Sequence, residues 1–280
     1  MRAIRLATLS AGDKGGHVEQ RHGNFRYVSV QTGEQPLTRY QGAFKCRYGY
    51  GRAAETVNQG DSGQDFAAVR MNGNVCNFVL CDGVGMSYLG DFAARFLGNA
   101  LLDWLETTQH PTVEAVERLL HDLTLPASEQ LEKLQPLESS PLLLREVLME
   151  KRSRGSQAMY VCGRIELTGG GRKSRVWLAW QGDSRIRLWR NGQEQSELFQ
   201  THCKTNERWS TLEGPVGGKP HICEMKGSAG DSMRLQLYTD GLNDLDAIQA
   251  YVPDEHIQVL LDATHTGGLE DDAAFIELEW

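Results

Sequence analysis

The sequence lacks the features that mark membrane, secreted and nucleic-acid-binding proteins. No run of about 18 apolar residues occurs, so no transmembrane helix is predicted. The first residues, MRAIRLATLSAGDKGG, have no apolar core and do not resemble a secretory signal. The 29 lysines and arginines are outnumbered by 37 aspartates and glutamates, and this net charge of −8 argues against a nucleic-acid or anionic-membrane binder. We therefore expect a cytoplasmic protein with no nucleic-acid and no membrane partner.

Paired cysteines are also missing. None of the six cysteines forms a CxxC pair, which argues against a zinc knuckle or a thioredoxin-like site. Cys76, Cys81 and Cys162 lie in apolar runs and are predicted to be buried thiols. Low-complexity linkers and internal repeats are absent, and 40% of the residues are hydrophobic, so one domain with a sizeable core is predicted.

The first 45 residues are polar and weakly patterned. Asn24–Gln31 is predicted to form one short strand, and the remainder is predicted to be loop. We therefore divide the chain into an N-terminal extension over residues 1–45, which packs on the main domain or stays mobile, and a domain over residues 46–280.

The stretch Asn77–Asp91 (NFVLCDGVGMSYLGD) combines an apolar strand, an acid, a flexible loop and the start of a helix. The apolar run ends at Cys81, Asp82 follows it, and Gly83 and Gly85 come next. Glycines so close to a carboxylate let the backbone approach whatever that carboxylate binds. The stretch is predicted to hold one carboxylate at the end of a sheet, although a plain strand-to-helix turn would have the same pattern.

A hairpin is predicted just before this stretch. Asn72-Gly73, a strong hairpin turn signal, separates two apolar runs. With these two residues as the turn, Asp65 faces Leu80, and Asp82 is its diagonal neighbour on the same face, roughly 7–8 Å away at Cα. Two carboxylates at that spacing can share a cation and would otherwise repel one another. The alternative is that both merely end strands and face water.

The remaining pattern is helical before residue 155 and strand-rich after it. Asp91–Glu106 and Thr112–Leu123 have helical periodicity, and Thr112 is suited to cap the second helix. From Gly155 onwards short strands alternate with turns, which predicts an antiparallel meander. Thr201–Lys219 is a long, glycine-containing segment that we predict to be a mobile flap near the functional site.

Aspartates recur at the ends of the predicted strands or in a turn between them. These residues are Asp65, Asp82, Asp183, Asp240 and Asp271. Asp244 follows Asp240 by four positions, so a helix there would put both on one face. Ligands that are all oxygen suit Mg²⁺ or Mn²⁺, and the absence of histidine or cysteine at ligand spacing counts against zinc.

In order and surroundings, these acids resemble the metal-dependent serine/threonine protein phosphatases of bacterial type, the protein phosphatase 2C-like family. The likeness extends from about Gln64 to the last residues. It consists of six short motifs, each weak alone, that occur in the order of the family. The motifs are Gln64-Asp65, Asp82–Gly85, Gly155–Cys162, Gly182–Arg185, Thr239–Leu242 with Asp244, and Asp271–Ala274.

The resemblance implies an α+β fold, a four-layer α-β-β-α sandwich of two packed antiparallel β-sheets flanked by helices, with residues 46–280 as the catalytic domain. It implies that Asp82 bridges two Mn²⁺ or Mg²⁺ ions and that the Gly83 carbonyl also contacts one. Asp65 would hold one ion, and Asp240 and Asp271 the other. Asp183, Asp240 and Asp244 would offer a weaker third site.

The chain departs from the family motifs at positions that concern phosphate more than metal. Gly60 stands where many members carry a phosphate-binding arginine, and Arg52 is the nearby candidate for that role. Val84 takes the place of a histidine found in some members, Met86 replaces a glycine, and Ala274 stands where threonine is common.

Two functions remain open on this evidence. The first is a phosphatase that removes phosphate from phosphoserine and phosphothreonine of proteins with a water activated by two bridging metal ions. The second is a low-activity or inactive regulatory module that binds a phosphoprotein or a kinase. A phosphorylated protein substrate and a counterpart protein kinase are the expected partners, and the oligomeric state cannot be predicted.

Overall fold

The computed structural model describes residues 16–21, 24–134, 142–171, 173–200, 204–249, 251–266 and 268–280. The predictions for residues 1–15 lie outside this part of the chain. The described ranges contain fifteen strands. They are β1 (His17–Arg21), β2 (Asn24–Val28), β3 (Gln35–Gln41), β4 (Lys45–Gly51), β5 (Phe66–Asn72), β6 (Val75–Gly83), β7 (Gln157–Thr168), β8 (Lys173–Gln181), β9 (Arg185–Arg190), β10 (Gln193–Glu194), β11 (Arg208–Ser210), β12 (Gly214–Val216), β13 (His221–Gly227), β14 (Met233–Tyr238) and β15 (Ala273–Glu279).

Seven α-helices and one 3₁₀ helix occur in the same ranges. The α-helices are α1 (Ala54–Gln59), α2 (Gly90–Thr107), α3 (Val113–Asp122), α4 (Thr124–Lys133), α5 (Leu142–Ser153), α6 (Glu197–Gln200) and α7 (Asp254–Thr266), and the 3₁₀ helix is Asp240–Ala247. None of these helices combines the length and the apolar content that a membrane span requires.

The strands form two antiparallel sheets, which we call sheet A and sheet B. Sheet A has the order β1-β2-β5-β6-β7. On the side away from β6, β7 pairs with β11 at its first residues and with β8 over the rest of its length. β13 extends the sheet beyond β8, and β12 extends it beyond β11. Sheet B has the order β10-β9-β14-β15-β4-β3.

The two sheets pack face to face because their strands alternate in the direction of their apolar side chains. In β6, Phe78 and Leu80 enter the core between the sheets, whereas Val79 and Cys81 enter a second core under the helices. Leu97 and Leu101 of α2 line that second core. A third core joins the outer face of sheet B to the 3₁₀ helix and α7. The result is the predicted four-layer α-β-β-α sandwich.

Two helices have the predicted form. α2 buries Leu97, Leu101 and Leu105 at four-residue spacing against sheet A. α3 begins after Thr112, whose hydroxyl oxygen accepts a hydrogen bond of 3.2 Å from the Ala115 amide. The predicted buried thiols are also present, because Cys76, Cys81 and Cys162 are fully buried and free.

The beginning of the chain differs from the predicted extension. From His17 to Gln41 the described residues form β1, β2 and β3, and the boundary placed at residue 45 separates β3 from its neighbour β4. Phe25 and Tyr27 of β2 are buried between the sheets, where Tyr27 packs 4.1 Å from Tyr48, measured between ring centroids. The described residues from Gly16 to Lys45 are therefore part of the sandwich, and buried polar residues such as Ser29 and Gln31 belong to it.

The segment predicted as a flap also takes part in sheet A. Residues 201–203 of it lie outside the described part of the chain, but Arg208–Ser210 and Gly214–Val216 form the hairpin β11–β12. Trp209 pairs with Ala158 of β7, and its fully buried ring packs 6.1 Å from the ring of Phe96, measured between centroids. The hairpin is thus anchored at the end of β7 that lies beside Gly83.

Candidate functional site

The hairpin β5–β6 brings Asp65 and Asp82 opposite one another. The ladder ends with Phe66 paired to Cys81, so the next residues outward, Asp65 and Asp82, continue the same register. The predicted register was wrong by two residues, because the turn lies at Gly73-Asn74 and not at Asn72-Gly73. Gly73 has a φ of 57°, as the first turn residue of a type II′ turn does.

The backbone after Asp82 can take its path only because of Gly83. A Cβ atom there would lie 2.5 Å from the Gly90 carbonyl oxygen and 2.6 Å from the Gln64 carbonyl oxygen, both far inside van der Waals contact. The close approach fixes the end of β6 between the start of α2 and the residue that precedes Asp65. Asp65 and Asp82 are therefore held on a rigid part of the fold.

Sheet B supplies acids at the same end of the sandwich. Asp240 follows β14 after one intervening residue, Thr239, and Asp271 and Asp272 precede β15. Thr239, the last residue before Asp240, donates a hydrogen bond of 2.6 Å from its hydroxyl to Asp65 Oδ2, which joins the two sheets. The same hydroxyl accepts a hydrogen bond of 2.9 Å from the Ala274 amide.

Asp183 lies where the chain passes from sheet A to sheet B. β8 of sheet A ends at Gln181 and β9 of sheet B begins at Arg185, so the motif Gly182–Arg185 forms the crossing and not a turn within one sheet. Gly182 has a φ of 113°, and a Cβ atom there would lie 2.4 Å from Cβ of Met159. Met159 is paired with Asp82, so the crossing passes next to the end of β6.

The pKa values of these carboxyl groups reveal a shared electrostatic environment. Burial, and then the charges of Asp82 and Asp272, raise the pKa of Asp65 well above its ordinary range, although the hydrogen bond from Thr239 opposes the shift. Burial, and then the charges of Asp240 and Asp183, raise the pKa of Asp82 in the same way. Like charges held together in a partly dry environment favour the protonated form unless a cation neutralises them.

The pKa values of two further acids at this end of the sandwich, Asp183 and Asp271, are also raised, and the charge of Asp240 contributes to both shifts. Burial raises the pKa of Asp183, the charge of Asp240 raises it further, and Arg185 opposes this effect. Burial also raises the pKa of Asp271. The hydrogen bond from the backbone amide of Asp272 lowers this pKa, and the charge of Asp240 raises it. Asp240 therefore links Asp82, Asp183 and Asp271 into one cluster.

Asp244 is placed differently from the other predicted ligands. The segment after Asp240 is a 3₁₀ helix interrupted by a kink at Leu242 (φ −112°, ψ 30°), so Asp240 and Asp244 do not lie on one regular helical turn. The predicted common face of Asp240 and Asp244 is therefore absent, and Asp244 is exposed. The neighbours that most strongly raise the pKa of Asp82 include Asp240 and Asp183 but not Asp244.

Arg52, the candidate phosphate-binding residue, lies at this end of sheet B but has protein partners. Gly51 pairs with Ala273, so Arg52 is in register with Asp272. Its Nε donates a hydrogen bond of 2.8 Å to Glu34 Oε1, and its Nη1 donates one of 3.1 Å to the Asp61 carbonyl.

Asp272 has a structural role that the sequence did not reveal. Its side chain is buried, and its two oxygens accept hydrogen bonds of 2.7 Å from the Ala53 amide and 2.6 Å from the Gln64 amide. It therefore fixes the residue before Asp65 from the opposite sheet. One feature of the sequence could have indicated this role. Asp272 lies two residues before Ala274, so in an extended strand both side chains point to the same, inner face of sheet B.

The donor set suits a hard divalent cation. The clustered groups are carboxylates, which Mg²⁺ and Mn²⁺ prefer, and each gains from a neutralising charge. Within the described ranges, no three histidine, cysteine, aspartate or glutamate side chains stand close enough together to hold a metal ion as they are.

Comparison with solved structures identifies the architecture. The chain is similar to serine-threonine phosphatase 2C from Toxoplasma gondii, with a TM-score of 0.56 and 10% identity over 88% of this chain and 98% of that one. It is also similar to the serine/threonine phosphatase Stp1 from Staphylococcus aureus (TM-score 0.49, 18% identity, 84% of this chain and 94% of that one). A further similar structure is PppA, a key regulatory component of T6SS in Pseudomonas aeruginosa (TM-score 0.44, 16% identity, 87% of this chain and 99% of that one).

No family model matches the sequence, and no curated protein matches it. Identities this low establish the architecture alone. The two packed antiparallel sheets, the helices on both outer faces and the similarity to the Toxoplasma gondii enzyme together show that this chain has the protein phosphatase 2C-like fold that its motifs predict.

Proposed function

We propose that this protein is a Mn²⁺- or Mg²⁺-dependent phosphomonoester hydrolase that removes phosphate from phosphoserine and phosphothreonine of cytoplasmic proteins. The observation that carries the proposal is the meeting of strand-end aspartates from both sheets, with Asp65 and Asp82 in register and Thr239 connecting Asp65 to the end of β14. Carboxylates whose pKa values rise because of burial and of one another's charges are suited to binding divalent cations.

In this proposal each acid has a defined partner. Asp82 would hold both ions, and the Gly83 carbonyl would contact one of them. Asp65 would hold one ion, and Asp240 and Asp271 the other. Asp183, Asp240 and Asp244 would offer a weaker third site. Two such ions, when bound, supply positive charge for the phosphate oxygens and lower the pKa of a water so that it can act as the nucleophile.

Other residues of this chain position the proposed ligands and bind the phosphate. Thr239 orients the Asp65 carboxylate by its hydrogen bond, and Asp272 fixes the backbone at Gln64 just before Asp65. Arg52 is the candidate for binding the phosphate, provided that its guanidinium exchanges Glu34 for the substrate. Valine at position 84 cannot donate a proton, so the general acid that a histidine would provide at that position is absent.

The test is hydrolysis of p-nitrophenyl phosphate and of a phosphopeptide panel with and without Mn²⁺. We expect turnover that requires the metal, stops with EDTA and falls by a factor of about a thousand or more in Asp82→Ala. Asp262→Ala is the matched control, because Asp262 is an exposed aspartate on α7. Equal activity of Asp82→Ala and Asp262→Ala would refute the assignment.

The second candidate is a low-activity regulatory module that binds a phosphoprotein or its kinase. Its support is the ion pair of Arg52 with Glu34, together with Gly60 at the position of the usual phosphate-binding arginine. It predicts tight phosphopeptide binding without turnover at saturating Mn²⁺. Glu34→Ala separates the two candidates, since an enzyme held back by this ion pair should gain activity when Arg52 is released.

A further inference from the structure

The loop after Asp82 carries an exposed methionine on a rigid support. The Ser87 amide and hydroxyl donate hydrogen bonds of 2.8 Å and 2.7 Å to the Val84 carbonyl, which closes a tight turn with Gly85 and Met86 at its tip. The Ser87 hydroxyl in turn accepts a hydrogen bond of 3.1 Å from the Gln157 amide, so the turn is fastened to β7. Met86 is nevertheless 77% exposed. An apolar side chain is thus displayed on a fixed turn beside the aspartates.

A second exposed apolar residue approaches from the β11–β12 hairpin. Leu212, in the turn of this hairpin, is 50% exposed, and its Cγ lies 2.8 Å from the position a Cβ atom would take on Gly155. The Gly155 carbonyl accepts a hydrogen bond of 3.2 Å from the Tyr88 amide. The loop that carries Met86 and the turn that carries Leu212 therefore meet at Gly155.

Leu89 is a third exposed apolar residue, at the end of the loop that carries Met86, and its backbone is strained. Its φ of 50° and ψ of 63° are in the left-handed region, which leucine rarely adopts. Its carbonyl accepts hydrogen bonds from the Ser156 hydroxyl at 2.6 Å and the Phe92 amide at 3.0 Å, which offset this strain. The side chain remains 38% exposed. Strain of this kind is retained mainly at functional positions.

Two basic residues of α5, Lys151 and Arg152, lie beside the loop that carries Met86. The Lys151 ammonium donates a hydrogen bond of 3.1 Å to the Gly85 carbonyl, one residue from Met86. Arg152 follows it in the last turn of α5, whereas Arg154 just beyond that helix forms an ion pair of 2.6 Å with Glu150. Such a border complements a phosphorylated, dianionic segment and repels a segment with lysine beside the phosphate.

We propose that Met86, Leu89 and Leu212 bind an apolar side chain next to the phosphorylated residue of the protein substrate. The inference rests on the proposed function, since it assigns the substrate class of that same site. It gives Met86, which replaces a glycine of the family motif, a specificity-determining role. The substrate is accordingly a phosphoserine or phosphothreonine segment with a leucine-like neighbour and without a lysine there.

The test uses phosphopeptides that differ only in carrying leucine, serine or lysine at each of three positions on either side of the phosphoresidue. The readout is kcat/KM for each peptide divided by kcat/KM for p-nitrophenyl phosphate, measured with Mn²⁺. We expect leucine to exceed serine by about tenfold at one or more positions, mainly through KM, and lysine to be the poorest. The variant M86S/L212S should lose this preference.

Val259→Ser is the matched control, because Val259 is 68% exposed on α7 and has no place in the proposed surface. It should keep the leucine preference. Equal use of leucine and serine peptides by the wild-type protein, or an equal loss in Val259→Ser, would overturn the inference and leave the phosphatase activity standing.

Absence of turnover toward p-nitrophenyl phosphate and every peptide would instead contradict the proposed function. Fluorescence anisotropy with the same labelled peptides and Mn²⁺ then decides the inference separately. A leucine preference in affinity that M86S/L212S abolishes would uphold the apolar surface, and equal affinity for all peptides would overturn it.

Discussion

Thr239 donates its hydroxyl hydrogen to Asp65 Oδ2 across 2.6 Å and so connects the end of β14 in sheet B to the start of β5 in sheet A. Both residues are buried, and the same hydroxyl accepts from the Ala274 amide at 2.9 Å. The position of one proposed ligand, Asp65, therefore depends on the position of the backbone that carries the next, Asp240.

Thr239→Val keeps the shape of the side chain and removes both hydrogen bonds. We expect the free energy of unfolding to fall by about 1–3 kcal/mol, because the Asp65 carboxylate and the Ala274 amide are left buried without this partner. Urea denaturation measures the change. Thr107→Val, at an exposed threonine at the end of α2, is the control, and an equal loss in both variants would contradict the prediction.

Asp271 and Asp272 are neighbours that should behave oppositely when replaced by alanine. Asp272 is buried and accepts from the amides of Ala53 and Gln64, so Asp272→Ala should cost about 2–5 kcal/mol of unfolding free energy. Asp271 is exposed as a residue, although its surroundings partly shield its carboxyl group, so Asp271→Ala should change stability by about 0.5 kcal/mol or less and abolish metal-dependent hydrolysis. Urea denaturation and phosphatase assays on both variants check the pair, and stability losses of equal size would disprove it.

Removal of one negative charge from the cluster should stabilise the metal-free protein. Asp82 is surrounded by Asp240, Asp183 and Asp271, so Asp82→Asn should raise the melting temperature in EDTA relative to the wild type. Wild-type protein should gain stability with millimolar Mn²⁺ because binding favours the folded state, and Asp82→Asn should lose most of that gain. Differential scanning fluorimetry gives both numbers.

The control for this experiment is Asp262→Asn on α7, which should retain the stabilisation by Mn²⁺. A wild-type melting temperature that is indifferent to Mn²⁺ and Mg²⁺ would speak against a metal site at these aspartates.

The buried tyrosines predict a loss of stability at alkaline pH. Burial, and to a smaller extent the neighbouring Cys46, raises the pKa of Tyr48 to about 12 from its ordinary value near 10. Between these values the unfolded chain has released the proton and the folded chain retains it. The contribution of Tyr48 is therefore fully present below pH 10 and is lost as the pH rises toward about 12.

Urea denaturation at several pH values from about 9 to about 12, which covers both pKa values, gives the free energy of unfolding. This free energy should fall less steeply with pH for Tyr48→Phe than for the wild type. Tyr251→Phe, at a position 43% exposed, is the control for the loss of any tyrosine. Identical slopes for all three proteins would contradict the assigned pKa.

The sequence predicted that Asp65 and Asp82 are diagonal neighbours on one face of the hairpin, and they remain on one face although the predicted register was wrong by two residues. The turn was placed one residue too early, which shifted the pairing by two, and a shift of two keeps every side chain on its original face. A shift of one would have put the two carboxylates on opposite sides of sheet A. The glycine at position 73 occurs in both versions of the turn, so turn chemistry alone could not choose between them.

Long-range contacts account for what the sequence did not reveal. β3 has a polar sequence and only Tyr40 buried, so it becomes a strand through its pairing with β4 and not through its own pattern. Asp272 resembles Asp271 in sequence, and only the amides of Ala53 and Gln64, distant along the chain, distinguish the buried acid from the exposed one. The exposure of Met86 likewise depends on the turn closed by Ser87.

The place of β15 in sheet B has a consequence for how the protein reaches its native state. β15 lies between β14 and β4, and its Glu277 bonds Arg47 from 230 positions earlier. Until this contact forms, β4 exposes an unpaired edge and the aspartates of the two sheets have no common framework. Closing so long a loop is slow, so the folding rate of this protein should be limited by the docking of β15, and aggregation should compete with it at that stage.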